Sequence, residues 1–471
     1  MPGKINEIMK LAIFTDSFKP NLDGVATVTN VLAKEMVKKG HTVVVVCPGN
    51  NTESGHQDGF KVIRLKSYSI KLTELMKICF KNPGYVEKLE DFSKYDLIQI
   101  QSPATLGSLG FLIALKYNIP VSSTFHTNVA DFASSFLNEE VLAHESNNIL
   151  YKSMIKFGFL RTGFGKMIHS LAWSLVKNFY NAVPALTVPA RFCKKLLREK
   201  GVKSEIVVLN NPVNPTVSKK DYSKKYKLKS KFVVIHVGRL SAEKRVDVFI
   251  KVIAKLKKSM PNIFGVICSD GLIRVDLEKL AKKLKVSNNI KFTGFVCRDE
   301  LSWLYEQSNV VTAFGLYETF NLCAAEGLFY GKPLVLTNSG PHPELINDNG
   351  FLIDVNDSEV NEFANKIKII AKDEAVAKRF SVNSRKHWKD YDYKSTIEKH
   401  EKYFLESVKN NLISNKHYLS FIRYLAFMGI IMNTFLLSMS LKEKKDNGLI
   451  EEFEKFSNSM NSELKKLKKS F

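Results

Sequence analysis

Two successive arrays of short apolar runs, each run followed by a segment with helical spacing, fill most of this 471-residue chain. The first array opens with KLAIFTD at residues 10–16, continues with the helical pattern VATVTNVLAKEMVKKG, and returns at once to the apolar run HTVVVVCPG. Continuous apolar runs are typical of parallel strands covered on both faces, and the strand, helix, strand order predicts a βαβ unit. We therefore expect an α/β fold built from parallel sheets.

The second array starts again after a segment near residue 210, NNPVNPTVSKKDYSKKYK, whose proline, asparagine and lysine content is typical of a linker. Strands and helices then alternate from FVVIHVGRL to PLVLTNSG. Two such arrays predict two Rossmann-like domains facing a cleft, which the carboxyl ends of both sheets border and where ligands bind in such folds. We assign residues 1–210 to an N-terminal domain, 211–385 to a C-terminal domain, 386–417 to crossover helices, and 418–471 to an apolar helix with a Lys-rich tail.

The charge balance limits the partners. Lysine and arginine total 70 against 47 acidic residues, a net charge of +23, which favours an anionic partner such as nucleic acid, an anionic lipid or a phosphorylated substrate. The basic residues are spread through the chain and form no recognised nucleic-acid-binding motif, so we do not expect nucleic acid. Six scattered cysteines without a C-x-x-C pair indicate reduced thiols in a cytosolic protein, and the N-terminus lacks the apolar core of a signal peptide.

Residues 424–441, YLAFMGIIMNTFLLSMSL, contain no charge over eighteen positions. At about 1.5 Å per residue such a helix is roughly 27 Å long, which is marginally enough to cross a bilayer. Basic residues flank the segment on both sides, so the charge difference that would orient a membrane-spanning helix is small. Two interpretations stay open: a helix embedded in or lying on a membrane, and an apolar helix docked on the protein.

The segment ETFNLCAAE carries two carboxylates, Glu318 and Glu326, where a strand gives way to a helix. On one continuous helix, eight positions turn about 80° past two full turns, so the pair would share a face only loosely. If Glu318 lies in the loop and Glu326 in the helix, both point into the cleft. The free N–H groups of the helix N-terminus, near Phe320, Asn321 and Leu322, would then face an anion. Spacing alone also allows an exposed glutamate and an ordinary helical one.

Further candidates lie at the ends of predicted strands. In GRLSAEK, directly after FVVIHV, Arg239 and Lys244 place two cations on a glycine-started loop, an arrangement that suits a diphosphate, although a solvated charge pair is the alternative. His126 follows VSSTF and would border the cleft, where a lone histidine is either structural or functional. Gly24 would let the backbone approach a ligand closely, or be a plain turn glycine.

From about residue 10 to 405 the chain resembles the retaining glycosyltransferases of family four, which have the GT-B fold of two Rossmann-like domains. The matching pieces include FTDSFKPNLDGVATVTNVLAKEMVKKGHTVVVV, HVGRLSAEKRVDVFIKVI, NNIKFTGFV and LYETFNLCAAEGLFYGKPLVLTNSGPHPELI. The segments STFHTN and SPATLGSLG are further similar to the branch that glycosylates lipids, including glycosyldiacylglycerol synthases and phosphatidylinositol mannosyltransferases.

The resemblance implies a role for each matching residue. Arg239 and Lys244 would hold the donor diphosphate, and Glu326 would hold the ribose hydroxyls. Of the two residues nearest the chemistry, Glu318 would bind a hydroxyl of the transferred sugar and His126 would lie beside the anomeric centre.

Two departures from the family pattern leave the geometry of the phosphate loop open. The first loop, which would help to shape the donor pocket, reads Asp23-Gly24 where paired glycines are usual. In the second domain Asn321 stands where a glycine usually follows Glu-x-Phe.

The implied reaction transfers a hexose, with retention at the anomeric carbon, from a nucleotide sugar such as UDP-glucose or UDP-galactose. The leaving diphosphate builds negative charge, which Arg239, Lys244 and the helix N-terminus near Phe320 would stabilise. No bound metal or other cofactor is therefore expected, and residues 211–385 carry no Asp-x-Asp signature.

The acceptor is inferred from two segments that mix basic, aliphatic and aromatic residues, at 63–82 and 151–180. Such a mixture suits an anionic bilayer surface, but it also suits an amphipathic helix facing the core. We expect 1,2-diacylglycerol as acceptor, a glycolipid as product, and a location on the cytoplasmic face of the cell membrane. The alternatives are a GDP-mannose-dependent mannosyltransferase acting on another lipid or a polysaccharide, and a non-catalytic protein that binds nucleotide sugars.

Overall fold

An eight-stranded sheet forms the N-terminal domain in the computed structural model of the protein, which describes residues 8–21, 23–69, 77–128, 164–440 and 462. Its strands are β1 (Lys10–Phe14), β2 (Thr42–Gly49), β3 (Glu53–Gln57), β4 (Phe60–Lys66), β7 (Leu97–Ile100), β8 (Val121–Thr124), β9 (Ala185–Val188) and β10 (Glu205–Val208), and a small separate hairpin consists of β5 (Tyr68–Ser69) and β6 (Lys77–Ile78).

The order across this sheet is β10-β9-β8-β7-β1-β2-β4-β3, and all pairs are parallel except the antiparallel edge pair β3 and β4. The four valines of β2 are buried, as expected for a strand covered on both faces. The helices of the domain are α1 (Gly24–Lys38), α2 (Pro83–Val86), α3 (Thr105–Tyr117), α4 (Phe164–Ala182) and α5 (Arg191–Glu199), with a short 3-10 turn at Phe92–Lys94.

The second sheet has six parallel strands in the order β13-β12-β11-β14-β15-β16. These strands are β11 (Phe232–Val237), β12 (Ile263–Cys268), β13 (Ile290–Gly294), β14 (Val310–Ala313), β15 (Leu334–Thr337) and β16 (Gly350–Ile353). The helices are α6 (Ser223–Tyr226), α7 (Val246–Lys257), α8 (Arg274–Lys283), α9 (Arg298–Gln307), α10 (Leu322–Phe329), α11 (Glu359–Lys372) and α12 (Glu374–His387), with 3-10 turns at Ala242–Lys244, Ser287–Asn289, His342–Leu345 and Trp388–Tyr391.

The chain then crosses back to the first domain through α13 (Tyr393–Asn410) and α14 (Asn415–Ser440). Phe404 of α13 is buried in the same apolar cluster as Leu11 of β1. At the end of α13, the carbonyl oxygen of Asn411 accepts a hydrogen bond of 3.1 Å from the N–H of Val121, the first residue of β8. The crossover helices are therefore part of the N-terminal core.

The first half of α14 is docked on α3 and α4. The ring of Phe421 stacks on Phe111 with centroids 4.1 Å apart, and Tyr424 meets Phe179 edge to face at 5.1 Å. The hydroxyl of Tyr424 also lies 2.9 Å from the hydroxyl of Ser108. Phe421 and Tyr424 are fully buried.

For the start of residues 424–441, this docking decides between a membrane helix and a helix packed on the protein. Tyr424 belongs to the protein core, so the membrane-embedded alternative is wrong for this residue, while Leu441 and most of the Lys-rich tail lie outside the described residues. No helix in the described part of the chain combines the length and the apolarity needed to cross a bilayer. The prediction of two Rossmann-like domains with a helical extension is confirmed.

Candidate active site

The loop after β11 and the loop before α10 meet in an ion pair. Nζ of Lys244 donates a hydrogen bond of 2.6 Å to Oε1 of Glu318. The side chains are 25% and 16% exposed, so the pair is largely shielded and yet reachable from solvent. Lys244 ends the 3-10 turn at Ala242–Lys244, and Glu318 lies in the loop between β14 and α10.

The pKa values of the two groups follow from burial and from each other. Burial opposes the charged form of Lys244, but the Glu318 carboxylate, through its charge and hydrogen bond, outweighs burial and raises the Lys244 pKa. Burial likewise works to raise the pKa of Glu318, and here Lys244, with lesser help from His342 and His236, brings the pKa below its ordinary value. Both groups are therefore charged at neutral pH.

Two glycines make room for Glu318. A β-carbon on Gly315 would lie 2.8 Å from Oε1 of Glu318, and one on Gly340 would lie 2.9 Å from the carbonyl oxygen of Glu318. Gly340 also has φ of +55°, a conformation that strains other residues. A larger residue at Gly315 would therefore clash with the Glu318 carboxylate, and one at Gly340 would clash with its backbone.

Arg239 supplies a second cation next to this pair. It lies two residues after the end of β11, in the segment that leads to Lys244, and its positive charge works to lower the pKa of Lys244. Among the described residues, the Arg239 guanidinium has no hydrogen bond or ion pair, and it is partly exposed. The segment between β11 and α7 therefore carries two paired cations, Lys244 and Arg245, and the guanidinium of Arg239, which has no partner among the described residues.

Asn321 caps α10 in a left-handed conformation, with φ of 67° and ψ of 75°. Its Oδ1 accepts a hydrogen bond of 3.0 Å from the N–H of Ala324, and its Nδ2 lies 2.9 Å from Nε2 of the buried His342. Asparagine tolerates this conformation and is a strong N-cap, which explains how it replaces the usual glycine. The N–H groups of Leu322 and the next residue have no intrahelical acceptor, as in any first turn.

Glu326 lies in the second turn of α10 and is only 7% exposed. Its Oε1 accepts a hydrogen bond of 2.6 Å from Nη1 of Arg298, a residue that the sequence analysis missed. Cys323 is close enough to this pair and to the Lys244–Glu318 pair that all four charges act on its thiol, whose pKa is raised mainly by burial. The two carboxylates therefore share one region of the molecule.

His126 follows β8 in the opposing domain, and its Nε2 is hydrogen-bonded to Oε1 of Gln101, which follows β7. Burial, with a smaller contribution from the neighbouring His400, lowers the pKa of His126 to about 3, so its ring is neutral at neutral pH. The carbonyl oxygen of His126 accepts a hydrogen bond of 2.6 Å from Oγ1 of Thr319. Thr319, the residue that follows Glu318, therefore connects the two domains.

Other contacts join the domains around the same loop. The thiol of Cys193 donates to the carbonyl oxygen of Thr319 at 3.3 Å. The carboxylate of Glu344 accepts the N–H groups of Arg191 and Phe192, at 3.0 and 2.7 Å, at the start of α5. The loop before α10 is thus held against the N-terminal domain.

The remaining predicted residues lie at this junction. A β-carbon on Gly24, the first residue of α1, would be 3.5 Å from Leu322 Cδ1, an ordinary contact across the two domains. The side chain of Phe320 is buried against the ring of Tyr391, 5.9 Å away, so only its backbone can face a ligand.

Comparison with known proteins identifies the fold and the family. Residues 22–217 match the family described as Glycosyltransferase Family 4, and residues 218–387 match the family described as Glycosyl transferases group 1. The two matches adjoin and cover both sheets except β1, which precedes residue 22. The chain belongs to glycosyltransferase family four. Its two sheets, whose domains are in contact at the loop that carries Glu318, are those of the two domains of a GT-B glycosyltransferase.

Three relatives of this glycosyltransferase are equally distant from it in sequence. Alpha-monoglucosyldiacylglycerol synthases from Streptococcus pneumoniae and Acholeplasma laidlawii are each 24% identical, over 73% and 87% of this chain and 74% and 100% of their own. A GDP-mannose-dependent alpha-mannosyltransferase from Corynebacterium glutamicum is also 24% identical, over 74% of this chain and 78% of its own. Among solved structures, Anabaena HepE in complex with UDP and glucose has a TM-score of 0.62 at 17% identity, over 84% of this chain and all of that one.

The basic and apolar segments of the N-terminal domain are described only in part. Residues 70–76 and 151–163 lie outside the described residues. In α4, Trp173, Phe179 and Tyr180 are buried in the core, which favours the core-facing alternative for this part of the second segment.

Proposed function

We propose that this glycosyltransferase transfers a hexose from UDP-glucose or UDP-galactose to 1,2-diacylglycerol, with retention of the anomeric configuration, and forms a glycolipid at the cytoplasmic face of the cell membrane. The observation that carries the proposal is the Lys244–Glu318 ion pair of 2.6 Å at the carboxyl edge of the second sheet. This is the edge at which parallel sheets of this kind bind ligands. Arg239 lies in the same segment after β11, and its guanidinium has no partner among the described residues.

In this proposal the donor diphosphate binds between Arg239 and Lys244. Oε1 of Glu318 already accepts from Lys244, which leaves the second carboxylate oxygen for a hydroxyl of the sugar. Glu326 takes the ribose hydroxyls. The backbone carbonyl of His126 accepts a hydrogen bond from Thr319, and its neutral ring lies on the side from which the acceptor approaches.

The bond between the anomeric carbon and the diphosphate oxygen breaks while the acceptor oxygen bonds to the same face of the sugar. The acceptor proton passes to an oxygen of the leaving diphosphate. The negative charge that develops there is stabilised by Arg239, Lys244 and the first turn of α10, and these groups supply the charge that a metal ion supplies in other transferases. Contact between the domains excludes water, which limits hydrolysis of the donor.

A diacylglycerol acceptor is supported by the synthases that match this chain and by its charge of +23. The described surface adds one feature, a basic face on α5 next to the domain junction. Each exposed basic residue near an anionic bilayer contributes about 1 kcal/mol of attraction. The exposed residues on this face are Arg191, Lys194, Lys195 and Arg198.

The second candidate is a mannosyltransferase that uses GDP-mannose, because a GDP-mannose-dependent relative is as similar to this chain as the synthases are. It shares the diphosphate and ribose contacts with the first candidate. The two candidate functions therefore differ in the nucleotide base and the sugar of the donor, and a donor screen distinguishes them.

The test incubates the full chain with liposomes containing diacylglycerol and with labelled UDP-glucose, UDP-galactose or GDP-mannose, in the presence and absence of EDTA. We expect labelled lipid with one UDP-sugar, unchanged by EDTA, and an α-linkage in the product by NMR. Label transferred from GDP-mannose alone supports the second candidate. No labelled lipid with any donor contradicts both, and a β-linkage contradicts retention.

A further inference from the structure

The side chain of Arg298 is 42% exposed, yet hydrogen bonds on two sides hold its guanidinium. It is the first residue of α9, after the loop that leaves β13, at the same sheet edge as Arg239. Nη1 donates to Oε1 of Glu326 at 2.6 Å, and Nη2 donates to the carbonyl oxygen of Asn214 at 3.0 Å. One guanidinium therefore joins the interdomain linker to a carboxylate of the site.

Glu326 depends on this partner. It is 7% exposed, and Oε2 accepts no hydrogen bond from the described residues. A buried carboxylate with one fixed oxygen cannot rotate freely, so its second oxygen keeps one direction. Burial opposes the charge of Arg298, but Glu326 outweighs it and raises the Arg298 pKa, which keeps both members charged.

The two ion pairs of the site differ in how the cation is held. Lys244 has Glu318 as its hydrogen-bond partner among the described residues, and its flexible side chain can turn to a phosphate. Arg298 has a second hydrogen bond to the backbone of the linker, which fixes the plane of its guanidinium. A cation fixed on both sides orients its carboxylate rather than moving to a ligand.

We propose that Arg298 is a positioning residue that holds Glu326 so that Oε2 accepts the ribose hydroxyls of the donor. This rests on the proposed function, in which Glu326 binds the ribose. Arg298 then determines how strongly the enzyme distinguishes a ribonucleotide from its deoxy analogue, although it does not itself touch the ribose.

The test measures the Kd of UDP and of 2′,3′-dideoxy-UDP by calorimetry for the full chain, Arg298→Gln, Arg298→Lys and Glu326→Gln. We expect the unmodified chain to bind UDP roughly tenfold more tightly than the dideoxy analogue, because a site built to hydrogen-bond a hydroxyl rejects a ligand without it. In Arg298→Gln the affinity for UDP falls to that for the analogue, whose own affinity is nearly unchanged. Arg298→Lys keeps the charge and restores part of the preference.

Arg379→Gln is the matched control, since Arg379 forms an exposed pair with Asp348 at 3.5 Å, away from the site. It should keep both Kd values. A preference that survives in Arg298→Gln and Arg298→Lys overturns the inference, as does an equal loss of affinity for both nucleotides. If Glu326→Gln keeps the preference, or the unmodified chain shows none, the ribose role of Glu326 in the proposed function fails, and the inference fails with it.

Discussion

Lys244 and Glu318 show how two partly buried charges control each other's protonation. Burial alone would raise the pKa of Glu318 and lower that of Lys244, yet both shifts run in the opposite direction because the partner is hydrogen-bonded at 2.6 Å. Since the pKa of Glu318 is lowered from 4.5, its contribution to stability is present above about pH 4.5 and is lost as the pH falls further. The raised Lys244 pKa gives a contribution that is lost only at strongly alkaline pH.

Lys244→Met should reverse the sign of this pH dependence. Without the cation, burial dominates and raises the pKa of Glu318 above 4.5, so the variant loses stability as the pH rises from 4 towards 7, relative to the unmodified protein. Transfer activity should fall by at least about 100-fold, as for other groups that stabilise charge in a transition state. Urea unfolding at several pH values, together with the liposome assay, measures both effects.

Lys251→Met is the control for this variant because Lys251 forms an exposed pair with Asp247 at 2.7 Å. Exposed pairs contribute about 0 to 1 kcal/mol, so its unfolding curve should keep the pH dependence of the unmodified protein. If the stability of Lys244→Met depends on pH in the same way as that of Lys251→Met, Lys244 does not control the pKa of Glu318.

At the residue scale the sequence indicated the carboxylates and cations but not their pairing. Glu318, Glu326, Arg239 and Lys244 follow strands or start helices, and their spacing carries a signal. Arg298 lies 28 positions before Glu326 on another helix, and no local pattern distinguishes it from a solvated arginine. Such a pair depends on how α9 packs beside α10, which local sequence does not determine.

At the element scale α10 begins at a residue that serves two purposes. Asn321 adopts φ of 67°, which costs most residues about 1–2 kcal/mol, and its side chain caps the N–H of Ala324. Glycine would adopt the left-handed conformation without strain but would provide no side-chain cap. Alanine would be strained in this conformation and would also provide no cap. This explains why the chain can depart from the glycine that is usual at this position.

Asn321→Ala should therefore be clearly less stable than Asn321→Gly. We expect a loss of about 2–3 kcal/mol for alanine, from the cap and the left-handed conformation together, and only a few tenths for glycine. Urea unfolding of both variants measures the difference, with Asn361→Ala on the exposed face of α11 as a neutral control. Equal stability of the alanine and glycine variants would show that the conformation of Asn321 does not matter.

Most strands and helices could be predicted from the hydrophobic pattern of the sequence, because the parallel strands are buried on both faces. β3 was not predicted, since its sequence ESGHQ is mostly exposed at the sheet edge and has no apolar run. The start of α14 was ambiguous for the opposite reason: its residues are apolar enough for either lipid or protein. The contact between Phe421 and Phe111, 310 positions apart in the chain, decides for protein, and pattern does not reveal such a contact.

At the scale of the whole molecule, the two domains meet through the loop that carries Glu318. Thr319 reaches the backbone of His126, and Glu344 reaches the start of α5. Two sequence arrays predict two domains, but the contacts between them depend on surfaces that only the complete fold brings together. The Lys244–Glu318 pair is therefore coupled to the relative position of the N-terminal domain and, through α5, to the basic face beside it.

The distribution of charge makes a prediction about membranes. Residues 441–471 contain eight lysines and six acidic residues, a net charge of +2, so a chain ending at residue 440 keeps +21 of the total +23. Electrostatic attraction to a membrane should then belong to the two domains and not to the tail. The docked half of α14 must stay in such a truncation, because Phe421 and Tyr424 are fully buried in the N-terminal core.

We expect the full chain and the chain ending at residue 440 to sediment alike with vesicles containing anionic lipid at low salt, and neither to sediment with neutral phosphatidylcholine vesicles. Because salt screens exposed charges, about 0.5 M NaCl should release most of both proteins. Replacing Lys194 and Lys195 of α5 by glutamate should weaken sedimentation and lower stability by no more than about 1 kcal/mol, since both side chains are exposed and Lys195 has only an exposed pair with Glu199 at 4.0 Å. If the shortened chain stays in solution while the full chain sediments, the tail is the anchor and the charge of the domains is not sufficient.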